Sequence, residues 1–177
     1  DFAISLPYPV VAHGRCYIDV VLCANSFFLI RAGDSDKFYV EEATAGTKRV
    51  VQLAEGQYTV FTLAVALQTA LNQNKAIPGT YGVSYDVTSN RLIISITGST
   101  TANDQMTVWP EEYLKNNFSA WSGVANIGSA DDPKSANRAL GFTTKSGYFL
   151  CTHAAPLSGP QAPDVQPYKQ LFIRSNL

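Results

Sequence analysis

The chain has 177 residues, of which 46% are hydrophobic and 15% charged, with a formal net charge of −1 and a pI near 6.1. That length suits one domain with a single sizeable core, spanning 1–177. No Lys/Arg cluster exists to supply the counterion-release term that holds nucleic acid, so direct binding of DNA or RNA is not expected.

Charged residues fall short of the roughly 25% of an average soluble domain. The deficit fits either a surface partly covered by neighbours or a Ser/Thr/Asn-rich β-protein surface that needs none. Short runs rich in Val, Ile, Tyr and Phe, separated by Gly, Asn, Asp and Pro, are expected as strands. In chain order they are 2–5, 16–23, 27–31, 37–41, 49–53, 82–87, 91–97, 106–109, 147–151 and 170–174. The apolar runs 20–24 and 27–32 are too short to span a bilayer and are separated by Asn25 and Ser26, so no membrane span is expected. Many short strands at this spacing predict an all-β dominated fold, a β-sandwich or barrel.

One amphipathic helix interrupts the strands. Thr59 is placed as its N-cap, and Val60, Leu63, Ala64, Leu67, Ala70 and Leu71 recur at intervals of three and four, predicting a helix over 60–74 laid on a sheet. Ile77-Pro78-Gly79 prevents its continuation. A hairpin follows over 81–97: Val83, Tyr85 and Val87 alternate with Gly82, Ser84 and Asp86, and Thr88-Ser89-Asn90 supplies the turn. Leu92, Ile94 and Ile96 resume the alternation, with Ile93 on the outer face. Shorter helices are expected at 111–118, after Pro110, and at 134–140, before Gly141. Between them 119–132 has no clear period, and the proline-rich 154–167 reads as an extended crossing before the last strand.

Groups suited to catalysis are sparse. The only histidines are His13 and His153, and neither sits in a recognisable nucleophile turn with Cys151 or a serine, so no catalytic residue is assigned and no enzyme is expected. Cys16, Cys23 and Cys151 have no metal-ligand spacing and are expected as buried free thiols, with a disulfide from Cys151 as the alternative. Asp34-Ser35-Asp36 and Asp131-Asp132 lack the full ligand series of a calcium loop, and phosphate-binding glycine loops are absent, so neither metal nor cofactor is assigned. Trp109 and Trp121 are the candidate binding aromatics, able to stack on a sugar if exposed and core residues if not.

Three stretches occur together in order. Val51-Gln52-Leu53-Ala54-Glu55-Gly56-Gln57-Tyr58-Thr59 leads into the helix. Val83-Ser84-Tyr85-Asp86 returns through Arg91-Leu92-Ile93-Ile94. Ala139-Leu140-Gly141-Phe142 precedes the ending Leu171-Phe172-Ile173-Arg174-Ser175-Asn176-Leu177. Over 50–177 this order resembles minor capsid and penton proteins of large eukaryotic DNA viruses. The resemblance implies a single jelly-roll-like sandwich and a minor capsid component, penton or lattice-filling, in an icosahedral shell assembled in the host cytoplasm. It also implies other capsid proteins as partners, a major capsid protein among them, and a homo-oligomer, pentameric if a penton. Candidate inter-subunit contacts are Pro7, Tyr8, Pro9, Pro156, Pro160, Pro163 and Pro167. The alternative function is a receptor- or glycan-binding head of a viral fibre or tail protein, carried by Trp109 and Trp121. A small hydrolase using Cys151 or His153 is a further rival.

Overall fold

The computed structural model describes residues 28–42, 46–98, 104–144 and 147–165. The expected strands at 2–5, 16–23 and 170–174, the terminal stretch Leu171–Leu177, and Pro7, Tyr8, Pro9, Pro167, His13, Cys16 and Cys23 lie outside them.

Strand β1 (Lys37–Glu42) pairs antiparallel with β2 (Thr47–Gln52) on one side and with β5 (Gln105–Val108) on the other; β5 in turn pairs with β6 (Phe149–Thr152). The result is a four-stranded antiparallel sheet in the order β2-β1-β5-β6. The hairpin β3 (Thr80–Asp86) and β4 (Arg91–Thr97), with the two-residue β7 (Leu157–Ser158) on the far side of β4, makes a second antiparallel sheet. Phe38, Val40, Val51, Met106, Val108 and Cys151 from the first sheet share one buried cluster with Tyr81, Leu92, Ile94, Ile96 and Leu157 from the second. Two antiparallel sheets around a shared core are compatible with the expected β-sandwich.

Helix α1 (Val60–Asn72) drives Leu63, Ala64, Leu67 and Leu71 into that core. Thr59 caps it reciprocally: its Oγ1 accepts from Thr62 N at 3.2 Å while its own N–H donates to Thr62 Oγ1 at 2.9 Å. This is a capping box with threonine at both ends. The helix stops two residues short of the expected 74. Gln73 turns extended and Asn74 takes a left-handed φ of 53°, because the Asn72 side chain is drawn to the backbone of β3.

Other boundaries moved for local reasons. Val87 does not continue the buried face of β3; it sits in the turn, 70% exposed. The Asp86 carboxylate takes Thr88 N and Ser89 N and ends the strand there, so the inward face is Tyr81, Val83 and Tyr85. The strand expected at 27–31 is, among the described residues, a single bridge from Ile30 to Gly56 before a turn over Arg31–Ser35. Helix α2 (Glu111–Asn116) yields at Asn117 to a 3-10 turn (Phe118–Trp121), so 119–132 begins with structure that its aperiodic sequence hides. Helix α3 (Asn137–Leu140) is shorter than expected and ends on Gly141 at φ 79°. A side chain there would be strained and would place its Cβ 2.4 Å from Gln161 O. The proline-rich crossing contains β7, which the hydrophobic pattern did not announce.

Candidate functional site

Trp109 and Trp121 are core residues and not a stacking platform. Tyr39 projects from the face of β1 opposite Phe38 and Val40, and α2 with its 3-10 turn folds over it. Tyr39, Trp109, Leu114 and Trp121 thus form a second small core, in which Trp121 meets Tyr39 at 5.1 Å and Trp109 at 5.5 Å, both edge-to-face. Trp121 is fully buried, and Trp109 lies under Lys48, whose Nζ is 5.7 Å from the ring centroid, with its indole N–H donating to Glu41 Oε2 at 3.1 Å. Of the two readings open to these indoles, stacking platform or core, they take the second: the outer face of β1 and β2 carries Tyr39 and Val50, and both rings cover it.

Cys151 faces inward from β6, its thiol donating to Ile94 O at 3.3 Å, and burial pushes its pKa up. A thiol held protonated and out of solvent is a poor nucleophile. It is free and buried, as expected of it. His153 is exposed, two residues further along, with its backbone N–H on Asp104 O. Among the described residues no group of three or more His, Cys, Asp and Glu is placed to hold a metal ion, and no helix is long and apolar enough to cross a membrane.

A buried polar knot that sequence reading missed joins the two sheets and the end of α1. Glu42, at the inner end of β1, receives Arg49 Nη2 from β2 at 2.7 Å, Tyr81 OH from β3 at 2.6 Å, and the N–H of Ala76. Arg49 also donates to the last carbonyls of α1, Leu71 O at 2.7 Å and Gln73 O at 3.0 Å. Both Nη groups of Arg49 and both carboxylate oxygens of Glu42 are matched in this burial, while Arg49 Nε has no partner among the described residues. Burial first, and then the bond to Glu42, hold the Tyr81 phenol far above the usual tyrosine range. The link from Glu42 to Tyr81 spans 39 positions of sequence and carries no motif; the knot ties β1, β2, β3 and the end of α1 together.

Among the exposed side chains of the described residues are six large hydrophobics, Phe28, Phe61, Val65, Val87, Tyr148 and Leu150. On α1, Phe61 is 60% and Val65 65% exposed, one turn apart, and Phe61 meets Tyr85 edge-to-face at 5.4 Å. On and beside the edge strand β6, Tyr148 is 56% and Leu150 46% exposed, the latter on β6 and the former 5.9 Å from Tyr113. Of the expected contact prolines, Pro156 is exposed and Pro160 and Pro163 half-buried. Pro163 lines an open depression with Arg138, Gln161, Ala162 and Asp164, where Arg138 Nε stands 3.4 Å from Asp164 Oδ2. No protein-family model, curated protein or solved structure matches this chain.

Proposed function

We propose that this chain is a structural protein of a virus particle: a minor capsid component, penton or lattice-filling, with a single jelly-roll-like sandwich. The observation that carries the reading is the pair of separate apolar surfaces, Phe61 and Val65 on α1 and Tyr148 and Leu150 at β6. A ring or lattice built by head-to-tail contacts requires two different patches on each copy, and exposed apolar side chains in a charge-poor chain are suited to being covered. The motif order supports it too, its segments falling on β2 into α1, on β3–β4, and on α3 into Phe142.

On this reading the partners are further copies of the chain and other capsid proteins, including a major capsid protein. The location is the virion shell, built in the host cytoplasm, and the chain performs no catalysis. The fibre-head alternative loses its intended ligand platform with the burial of Trp109 and Trp121.

Light scattering of the purified protein, with negative-stain images of the same sample, tests the proposal. A ring of five supports a penton. A monomer that co-sediments with shells of a major capsid protein supports the lattice-filling role. A monomer that stays in the supernatant at every ratio overturns the capsid reading.

A further inference from the structure

We infer that Gln68 and Asn72 of α1 guard the first part of the outer edge of β3, occupying three of the backbone groups, at Tyr81 and Val83, to which a strand from a second copy of this chain would otherwise add. β3 is the outermost strand of its sheet. In an antiparallel pair successive residues address opposite edges, and Tyr81 and Val83 are the ones turned away from β4. Asn72 Nδ2 donates to Tyr81 O at 2.8 Å, and its Oδ1 accepts from Tyr81 N at 3.0 Å. Those are the two bonds an added strand would make at that residue. One helical turn earlier, Gln68 Oε1 accepts from Val83 N at 2.8 Å. The two amides stand at i and i+4, in one row along the helix.

The need for a guard is visible in the strand itself. Exposed edges are ordinarily blunted by lysine, proline or a bulge. β3 has neither residue, and its register with β4 runs unbroken from Thr80↔Thr97 to Asp86↔Arg91. Asp86 and Arg91 are the only charges between Thr80 and Thr97, in a stretch that includes Val83, Tyr85, Val87, Ile93 and Ile94. That composition favours strand addition. The inference does not depend on the capsid reading; it holds for any function that requires the free protein to remain in solution.

Amide hydrogen exchange on the full chain is the first test. Tyr81 and Val83 should be protected to within about tenfold of Gly82 and Ser84, which face β4; exchange at the rate of an open peptide overturns the inference. The Gln68→Ala/Asn72→Ala variant, held where its circular dichroism matches the parent, should form larger species than the parent as concentration rises. Adding Ser84→Lys, on the exposed side of β3, should suppress them. A folded variant of unchanged mass, or growth indifferent to Ser84→Lys, refutes the guard. Should the double variant unfold, Gln68→Ala alone, made at an exposed side chain, carries the same expectation for mass and for the Val83 amide.

Discussion

Replacing Tyr81 by Phe tests whether the Glu42 knot stabilises the fold. The ring keeps its place in the core, and only the hydroxyl that donates to Glu42 Oε1 at 2.6 Å is lost. Hydrogen bonds to a charged partner contribute about 1.5–3 kcal/mol. Glu42 keeps Arg49 Nη2 at 2.7 Å and the Ala76 N–H, so the carboxylate is not orphaned and the lower part of that range, about 2 kcal/mol, is expected at pH 7. With a urea slope of about 2 kcal/mol per molar, the unfolding midpoint should fall by about 1 M.

The pH dependence gives a second, sharper signature. The folded-state pKa of Tyr81 is raised, by burial first and by Glu42 second. Its stabilisation is therefore complete below the unfolded tyrosine pKa near 10 and is lost as pH rises above that value, because the unfolded chain ionises while the folded phenol cannot. By pH 11 the parent should have lost about 1.4 kcal/mol that the Phe variant never had, narrowing their gap from about 2 to about 0.6 kcal/mol. Tyr39 and Cys151 are also raised by burial, but they are common to both proteins and cancel in the difference. A gap that stays constant from pH 7 to 11, or one below about 0.5 kcal/mol at pH 7, refutes the account of the knot.

Gly141→Ala should destabilise by about 1–2 kcal/mol in urea melts, since the residue sits at φ 79° with Gln161 O 2.4 Å from the new Cβ. Trp121→Ala removes a fully buried ring that touches Tyr39 and Trp109, and should cost about 3–5 kcal/mol by the same measurement. Loss of any ligand in that variant would then report a lost fold, not a lost contact. The Cys151 thiol should resist iodoacetamide at pH 8 in the folded protein and react once urea unfolds it, read by mass mapping of its peptide; modification at the native rate of a free peptide thiol would contradict its burial.

The parts of the fold that sequence predicts well are those with a local cause. β4 occupies 91–97 as expected because Leu92, Ile94 and Ile96 alternate without interruption, and α1 begins at Val60 because Thr59 has a hydroxyl to offer. Asn90 at φ 56° and Gly141 at φ 79° are where a turn residue and a helix stop were expected. What the sequence hides depends on neighbours distant in the chain. β7 exists only because Ile93 and Ile94 are there to pair with Ser158 and Leu157. The indoles were ambiguous because a Tyr–Val pair on an outer sheet face, Tyr39 opposite Val50, needs a cover that no local pattern names. The Glu42–Arg49–Tyr81 knot carries no motif in sequence: the register of β1 with β2 brings Glu42 to Arg49, and the packing of the second sheet brings Tyr81 to Glu42.

Polar and apolar contacts divide the work of this molecule differently. Several polar groups at the edge of the core are matched inside the chain: Glu42 to Arg49 and Tyr81, Asn72 and Gln68 to the backbone of β3. Exposed large hydrophobic side chains remain outside, Phe61, Val65, Tyr148 and Leu150 together with Phe28 and Val87. Part of the β3 edge and the Glu42–Arg49 pair are thereby satisfied internally, while hydrophobic contact remains available at the exposed apolar side chains. Association through such surfaces is non-directional and weakly sensitive to salt, so its geometry must come from the shape of the two-sheet fold beneath. That division suits a shell subunit of the proposed kind: strand addition would lead to open fibres, whereas two different apolar patches on each copy can close on a ring.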